Sequence, residues 1–167
     1  MDTSVTNDFH SLDHEWIIYA HLPHDTDWSI NSYKTILKTT KLEEYITLME
    51  SLPDSMINNC MLFVMKNGIK PIWEDELNRD GGCFSYKVNN KQVVKVWKNL
   101  DYKLVGNTLF KDNINSNVNG ITISPKKNFC IIKIWLKDCT NKNPETINYF
   151  MGLSSHGCLF KKHLIKN

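Results

Sequence analysis

In the stretch KPIWEDELNRDGG (residues 70–82), Trp73 stands directly before Glu74, Asp75 and Glu76, and a Gly81–Gly82 pair follows. Trp28 stands in a second polar stretch, HDTDWSINSYKT (24–35), directly after Asp27. An indole in a polar loop is more often a binding residue than a packing one. Two of them can sandwich a flat, electron-poor ring. Such stacking is worth ~1–3 kcal/mol per base, and more when the ring is cationic. A carboxylate beside a stacking indole suits a ligand with two adjacent N–H donors, such as the Watson–Crick edge of guanine, because both bonds are charge-assisted. The plainer reading of Glu74–Asp75–Glu76 is a solvated cluster at a helix start. It is the better one for Asp75 and Glu76.

Basic side chains gather toward the C-terminal third. The turn SPKKN (124–128) carries Lys126 and Lys127, and Lys133, Lys137, Lys161 and Lys162 follow. Singly, each reads as a solvated charge that discourages sheet aggregation. As a group they suit phosphates. Motifs for enzymatic chemistry are missing: the sequence has no GxxxxGK[ST], HExxH or GxSxG. Its six His are spread without metal-ligand spacing, and its five Cys show no CxxC, so reduced thiols are expected.

The remaining pattern supplies the elements that must hold these residues. EWIIYAHLP (15–23) reads as a strand stopped by Pro23. KLEEYITLMESL (41–52) has apolar residues at helical spacing and stops at Pro53. MINNCMLFVMKNG (56–68) reads as a strand closing on an Asn-Gly turn, and CFSYKVN (83–89) as another. KQVVKVWKNLDYKLVGN (91–107) is an amphipathic helix ending near Gly106. NGITISPKKN (119–128) and FCIIKIWLKD (129–138) form a hairpin. NPETINYFMGL (143–153) begins like a helix, with an Asn cap and Pro at the first position. GCLFKKHLI (157–165) is a final strand. Trp16, Trp97 and Trp135 lie in periodic apolar stretches, so their own pattern assigns them to the core. The fold class that follows is α+β, a curved antiparallel sheet with about three helices on one face.

A chain of 167 residues favours one domain. Residues 1–13 read as a flexible arm and 14–167 as the domain. Hydrophobic residues make up 41% and charged residues 23%, as in an ordinary globular protein. The net charge of +2 does not by itself imply a polyanionic partner. The apolar runs CMLFVM and CIIKIW are far too short to span a membrane, and the polar N-terminus is unlike a signal peptide. A cytoplasmic location is therefore expected. Of 20 basic residues only Arg79 is Arg, and Asn, Lys and Ile abound, a bias typical of AT-rich genomes such as those of some protists and large DNA viruses.

Several of these stretches together resemble a known family. GIKPIWEDELNRDGG is similar to the signature of eukaryotic translation initiation factor 4E, which binds the 5′ cap of mRNA. HSLDHEW (10–16), DWSINSYK (27–34), VWKNLDYKLVGN (96–107) and IIKIWLKDC (131–139) follow in the family's order. The resemblance implies a curved sheet with helices on its convex face and the cap on its concave face. It implies that Trp28 and Trp73 sandwich 7-methylguanine and that Glu74 reads its edge. It places Trp135 near the methyl group, against the core reading of that residue. It places Lys126 on the cap phosphates, with Lys127 or Lys133 standing in for a second family Lys that is Ile131 here. His10 and Tyr45 fall on the dorsal face, where family partners such as factor 4G insert a YxxxxLφ helix. Lys41, Lys98 and Tyr102 there replace apolar residues, which suggests a dedicated partner carrying acids. The tail SSHGCLFKKHLIKN is shorter than the family's.

The resemblance implies a monomeric, non-enzymatic binder of capped mRNA without a cofactor. Two rivals accompany it. One is a cap sequesterer that recruits no scaffold and represses translation. The other is a metal-dependent cap or nucleotide hydrolase using the acids at 74–76, although those carboxylates are confined to one short run where Mg²⁺ chemistry needs several that converge.

Overall fold

The computed structural model describes residues 8–163. Seven strands form one sheet: β1 (Ser11–His21), β2 (Lys34–Lys41), β3 (Met61–Lys66), β4 (Gly82–Asn89), β5 (Val118–Pro125), β6 (Phe129–Leu136) and β7 (Leu159–Lys162). Their spatial order is β2-β1-β3-β5-β6-β4-β7, and every neighbouring pair is antiparallel. Three helices, α1 (Leu42–Ser51), α2 (Asp54–Asn59) and α3 (Val93–Val105), cover one face. No helix of the described residues is long and apolar enough to cross a membrane.

Side-chain alternation makes the two faces chemically different. On β6, Cys130, Ile132, Ile134 and Leu136 point into the large core beneath the helices, and Ile131, Lys133 and Trp135 point the other way. On β3, Leu62 and Val64 join the helix-side core, while Phe63 and Met65 join Trp135, Ile69 and Cys83 in a smaller cluster on the concave side. Trp16 and Trp97 are fully buried in the large core, as their periodicity predicts.

Three local expectations differ from the structure. The run ILKTT (36–40), for which the sequence pattern names no element, forms β2 along the edge of β1 together with the end of the expected loop. The start of the expected strand 56–68 is instead α2, where Asn58 and Asn59 amides donate back to the carbonyls of Asp54 and Ser55, and Ile57 is buried. The expected helix 143–153 shrinks to a 3₁₀ turn, Pro144–Thr146. Its cap does form, with Asn143 accepting from the Glu145 N–H at 3.0 Å. Ile147 then pairs in a bridge with Phe110 and is buried, so tertiary pairing overrides the local helix signal.

The boundary of the N-terminal arm also shifts. Residues 1–7 lie outside the described ones. Ser11–Asp13 belong to β1, with Ser11 paired to Lys41, Leu12 packed on the core and Asp13 accepting from the Asn107 amide.

One polar contact sits inside the large core. Tyr45 of α1 donates its hydroxyl to Asp101 of α3, and both residues are fully buried. The second Asp101 oxygen has no partner. Burial holds the Asp101 carboxyl well above the usual carboxylate range, outweighing the Tyr45 bond that favours its charged form. A carboxyl with a raised folded value stabilises the fold fully below its unfolded value of about 4 and loses that contribution as pH rises through the folded value. Asp101→Asn keeps an acceptor for Tyr45 without the charge. We expect it to melt about 2–4 °C higher near neutral pH. Thermal melts from pH 4 to 8 check this; an unchanged or lower midpoint at pH 7 contradicts it.

Candidate ligand-binding site

The loop between β3 and β4 is held open by its own side chains. The Asn78 amide donates to the carbonyls of Lys70 and Ile72, both at 2.9 Å. Its oxygen accepts from the Asn119 amide at 2.9 Å, and Asn119 also reaches the Leu77 carbonyl at 2.7 Å. Asp75 accepts from the backbone N–H groups of Lys70 and Leu77 at 3.1 and 2.9 Å. Asp75 is therefore a loop fastener, not the solvated charge expected of it. The double glycine has a steric cause. A Cβ on Gly81 would lie 1.8 Å from the Leu136 carbonyl oxygen, and one on Gly82 would lie 2.6 Å from that of Lys161. Only a residue without a side chain lets the loop rejoin the sheet so closely.

That frame presents Trp73 and Glu74 over the concave face. Trp28, Trp73, Glu74, Trp135 and Lys133 all line one cavity of about 360 Å³. Tyr33, Met61, Phe63, Pro71, Ile72, Thr122 and Ser124 complete its wall. Trp28 and Trp73 remain 55% and 40% exposed, large values for indoles. Trp135 is buried, and its Nε1 donates to the Thr122 hydroxyl at 3.2 Å. Trp135 is thus both a core residue, as its own pattern predicts, and a wall of the cavity. Glu74 faces Tyr33, whose hydroxyl is pushed up by burial first and by the Glu74 charge second.

Two histidines that the sequence reading passed over support the indoles. His21 is buried and stacks on Trp28 at 3.9 Å between centroids and 3° between planes. Its Nε2 lies 2.8 Å from the Asp27 carbonyl oxygen, the residue preceding Trp28. His163 is 5% exposed, lies 9° from parallel to Trp73 at 5.9 Å, and contacts Trp135 at 5.1 Å. Its Nδ1 bonds the Asn78 carbonyl at 2.7 Å. Burial pushes the His163 imidazole down, against the Asn78 bond that favours its charged form, and the nearby Lys133 adds to the burial effect. Alternation in β1 put His21 on the same face as Ile17 and Tyr19, and that signal could have found it. His163 had no such signal, because β7 is only four residues long.

The lysines divide. Lys133 lies in the cavity wall, whereas Lys126 lines a separate groove with Leu22, Pro23, His24, Asn58 and Asn59 at one end of the sheet. Lys127 is exposed in the β5–β6 turn. Ile131 projects on the same face as Lys133, paired with Ser124 and Lys87. Lys137, Lys161 and Lys162 do not line the cavity. Among the described residues no cluster of three His, Cys, Asp or Glu side chains is placed to hold a metal ion.

The sequence pattern of eukaryotic initiation factor 4E matches residues 11–162. The chain belongs to that family. It is a cap-binding, non-catalytic family, so the hydrolase alternative falls with the assignment. Among curated relatives of initiation factor 4E, the Candida albicans protein is 28% identical over 150 residues, covering 83% of this chain and 69% of that protein. A homologue from Acanthamoeba polyphaga mimivirus is 25% identical over 135 residues, covering 68% of this chain and half of that protein. Among solved structures, C. elegans eIF4E-3 with the 4E-binding protein Mextli superimposes with a TM-score of 0.72 at 19% identity, covering 81% of this chain and 79% of that one. Ascaris suum eIF4E-3 with an m2,2,7G cap gives 0.71 at 20% identity, covering 80% and 76%. The curved antiparallel sheet with three helices is the fold these neighbours share.

Measured against initiation factor 4E, the dorsal expectations need correction. Tyr45 is fully buried against Asp101 and offers no surface to a partner. One residue on a helix turns the side chain by about 100°. The exposed apolar residue of α1 is accordingly the next one, Ile46, at 38%. His10 is exposed and accounted for within the chain: its Nδ1 lies 2.5 Å from a Glu43 carboxylate oxygen, and its backbone N–H meets the same group. Lys41 and Lys98 already pair with Glu44 and Glu50 at 3.6 and 3.5 Å, and Tyr102 also donates to Glu50. The lysines are neutralised in place and form no free positive patch for an acidic motif.

The Asn78 fastening carries a prediction. Asn78→Ala leaves the carbonyls of Lys70 and Ile72 and the Asn119 amide short of a partner in a buried setting. Each buried group left unmade costs about 1–3 kcal/mol, partly recovered by relaxation and water. We expect a net loss of about 2–3 kcal/mol in urea unfolding, with Trp emission shifting as Trp73 loses its frame. A loss below about 0.5 kcal/mol would show that the loop is held elsewhere.

Proposed function

We propose that the protein binds the 7-methylguanosine 5′ cap of mRNA, in support of translation initiation. The carrying observation is the single cavity in which Trp28, Trp73, Glu74 and Trp135 converge. In this reading Trp28 and Trp73 stack on the two faces of the base, and Glu74 accepts from its N–H edge. Methylation makes the base cationic, so electron-rich indoles hold it better than plain guanine. Trp135 walls the methyl side. Lys126, Lys127 and Lys133 take the phosphates, with Lys133 nearest the base and Lys126 farthest along the sheet. Family membership and the cap-bound relative of the same fold support this reading.

Fluorescence titration with 7-methyl-GTP and GTP in parallel tests it. We expect a clear preference for the methylated form. Trp28→Ala and Trp73→Ala should each lose ~1–3 kcal/mol of 7-methyl-GTP binding with the fold intact, because both indoles are largely outside the core. Glu74→Gln should lose about 1.5–3 kcal/mol and narrow the methyl preference. Equal wild-type affinity for the two nucleotides sinks the proposal.

The polar dorsal face favours a second role for the same site, a cap sequesterer that recruits no standard scaffold. A YxxxxLφ helix packs its Leu and φ residues on apolar surface. Here it would meet the Lys98–Glu50–Tyr102 network beside Ile46, while the apolar side chains of Phe9, Leu37 and Leu48 line a separate groove along the other side of α1. We expect a standard factor 4G peptide to bind at least tenfold more weakly than it binds a conventional initiation factor 4E under the same conditions. Comparable affinity in a peptide titration would restore the scaffold-recruiting role.

A further inference from the structure

Lys133 stands out within the cavity because of where its charge rests. Its Nζ lies over the Trp73 ring, 5.2 Å from the centroid. Lys133 points to the concave side because its neighbours Ile132 and Ile134 are both fully buried in the opposite core. Its strand partners are Thr122 and Ser85, neither of them charged. Among the described residues no carboxylate pairs with it, and the four ion pairs found there all involve other side chains. The nearest acid in the wall, Glu74, makes no ion pair either. The indole is thus the main attraction on this ammonium, a contact of the kind a cationic base would make with the same ring.

We propose that Lys133 is a built-in cation that rests on the Trp73 face and leaves it when a base stacks there. This inference rests on the cap-binding reading and assigns Lys133 opposite effects on the two halves of the ligand. Toward the base it is a competitor: the positive ring and the ammonium want the same electron-rich surface, and they repel one another. Toward the phosphates it is a ligand: once displaced, the four-carbon stem lets the ammonium swing to the negative end of the cap. The exchange makes binding depend on phosphate. A methylated base without phosphates must evict Lys133 and gives it no new partner, whereas a base with phosphates does both. Selectivity for a true cap over a free methylated nucleoside thereby comes from one residue.

The test compares wild type with Lys133→Met and Lys133→Gln by calorimetric titration, using 7-methylguanosine and 7-methyl-GTP. Both replacements are unbranched and close to Lys in length, and thermal melting confirms that each is folded. If one fails to fold, the other carries the comparison. The expected result is an affinity for 7-methylguanosine about two- to fivefold tighter than wild type, the size of an exposed cation–π contact removed as a competitor. 7-Methyl-GTP shares that gain on its base but loses an exposed ion pair on its phosphates, so the preference for 7-methyl-GTP over 7-methylguanosine should fall about two- to fivefold. Unchanged or weaker nucleoside binding in a folded variant overturns the proposal, as does a nucleoside gain that 7-methyl-GTP shows in full. Wild type that fails to bind 7-methyl-GTP would instead defeat the cap reading itself, and the inference with it.

Discussion

The pleat of β6 is the constraint on which the rest depends. Successive side chains of a strand must point to opposite faces, and β6 uses this to put Ile132, Ile134 and Leu136 under the helices while Lys133 and Trp135 face the other way. A slip of one residue would bury the lysine and expose three aliphatics. The pairing of β6 with both β5 and β4 over nearly its whole length makes such a slip costly. The helix-side core therefore does more than stabilise the sheet. It fixes the chemistry of the opposite face.

The cavity adds a loop to that fixed floor, and the loop is tied to the sheet by polar contacts instead of apolar burial. Asn78 binds the loop to itself, Asn119 binds it to β5, and His163 binds it to the end of β7. Buried amides with all their partners are worth most where water is excluded, and they specify one geometry instead of a family of them. This explains how a loop with three exposed acids, Glu74, Glu76 and Asp80, can still hold a half-exposed indole in a defined place.

Much of this was legible in the sequence, and the gaps have physical causes. Strand alternation and helical spacing located six strands and the helices α1 and α3, because buried faces leave a periodic trace. The edge strand β2 left a weaker one, since Lys38 interrupts its short run of Thr, Ile and Leu and a lysine stands at either end. The helix expected at 143–153 failed because Ile147 gains more from burial beside Phe110 than a short helix gains from its cap. Trp28, Trp73 and Glu74 were legible as chemistry out of place, aromatic residues in polar loops. His21 was legible only as the inward-facing member of an alternating strand, and His163 was not legible at all, because it acts through Asn78, a neighbour 85 residues away. Tyr45 was misplaced by a single residue, and on a helix that is the difference between core and surface.

The His21–Trp28 stack bears on how fast and how cleanly this site would act. An indole on a free loop samples several rotamers, and a ligand that stacks on it must freeze them at an entropic cost. Trp28 lies flat on a buried imidazole before any ligand arrives. One face is already spoken for, so a single face remains, and its orientation is set in advance. On the proposed reading, a base meets a prepared half-clamp and needs no slow rearrangement on that side. The step left to wait for is on the opposite wall, where Lys133 must quit the Trp73 ring before the base can take its place.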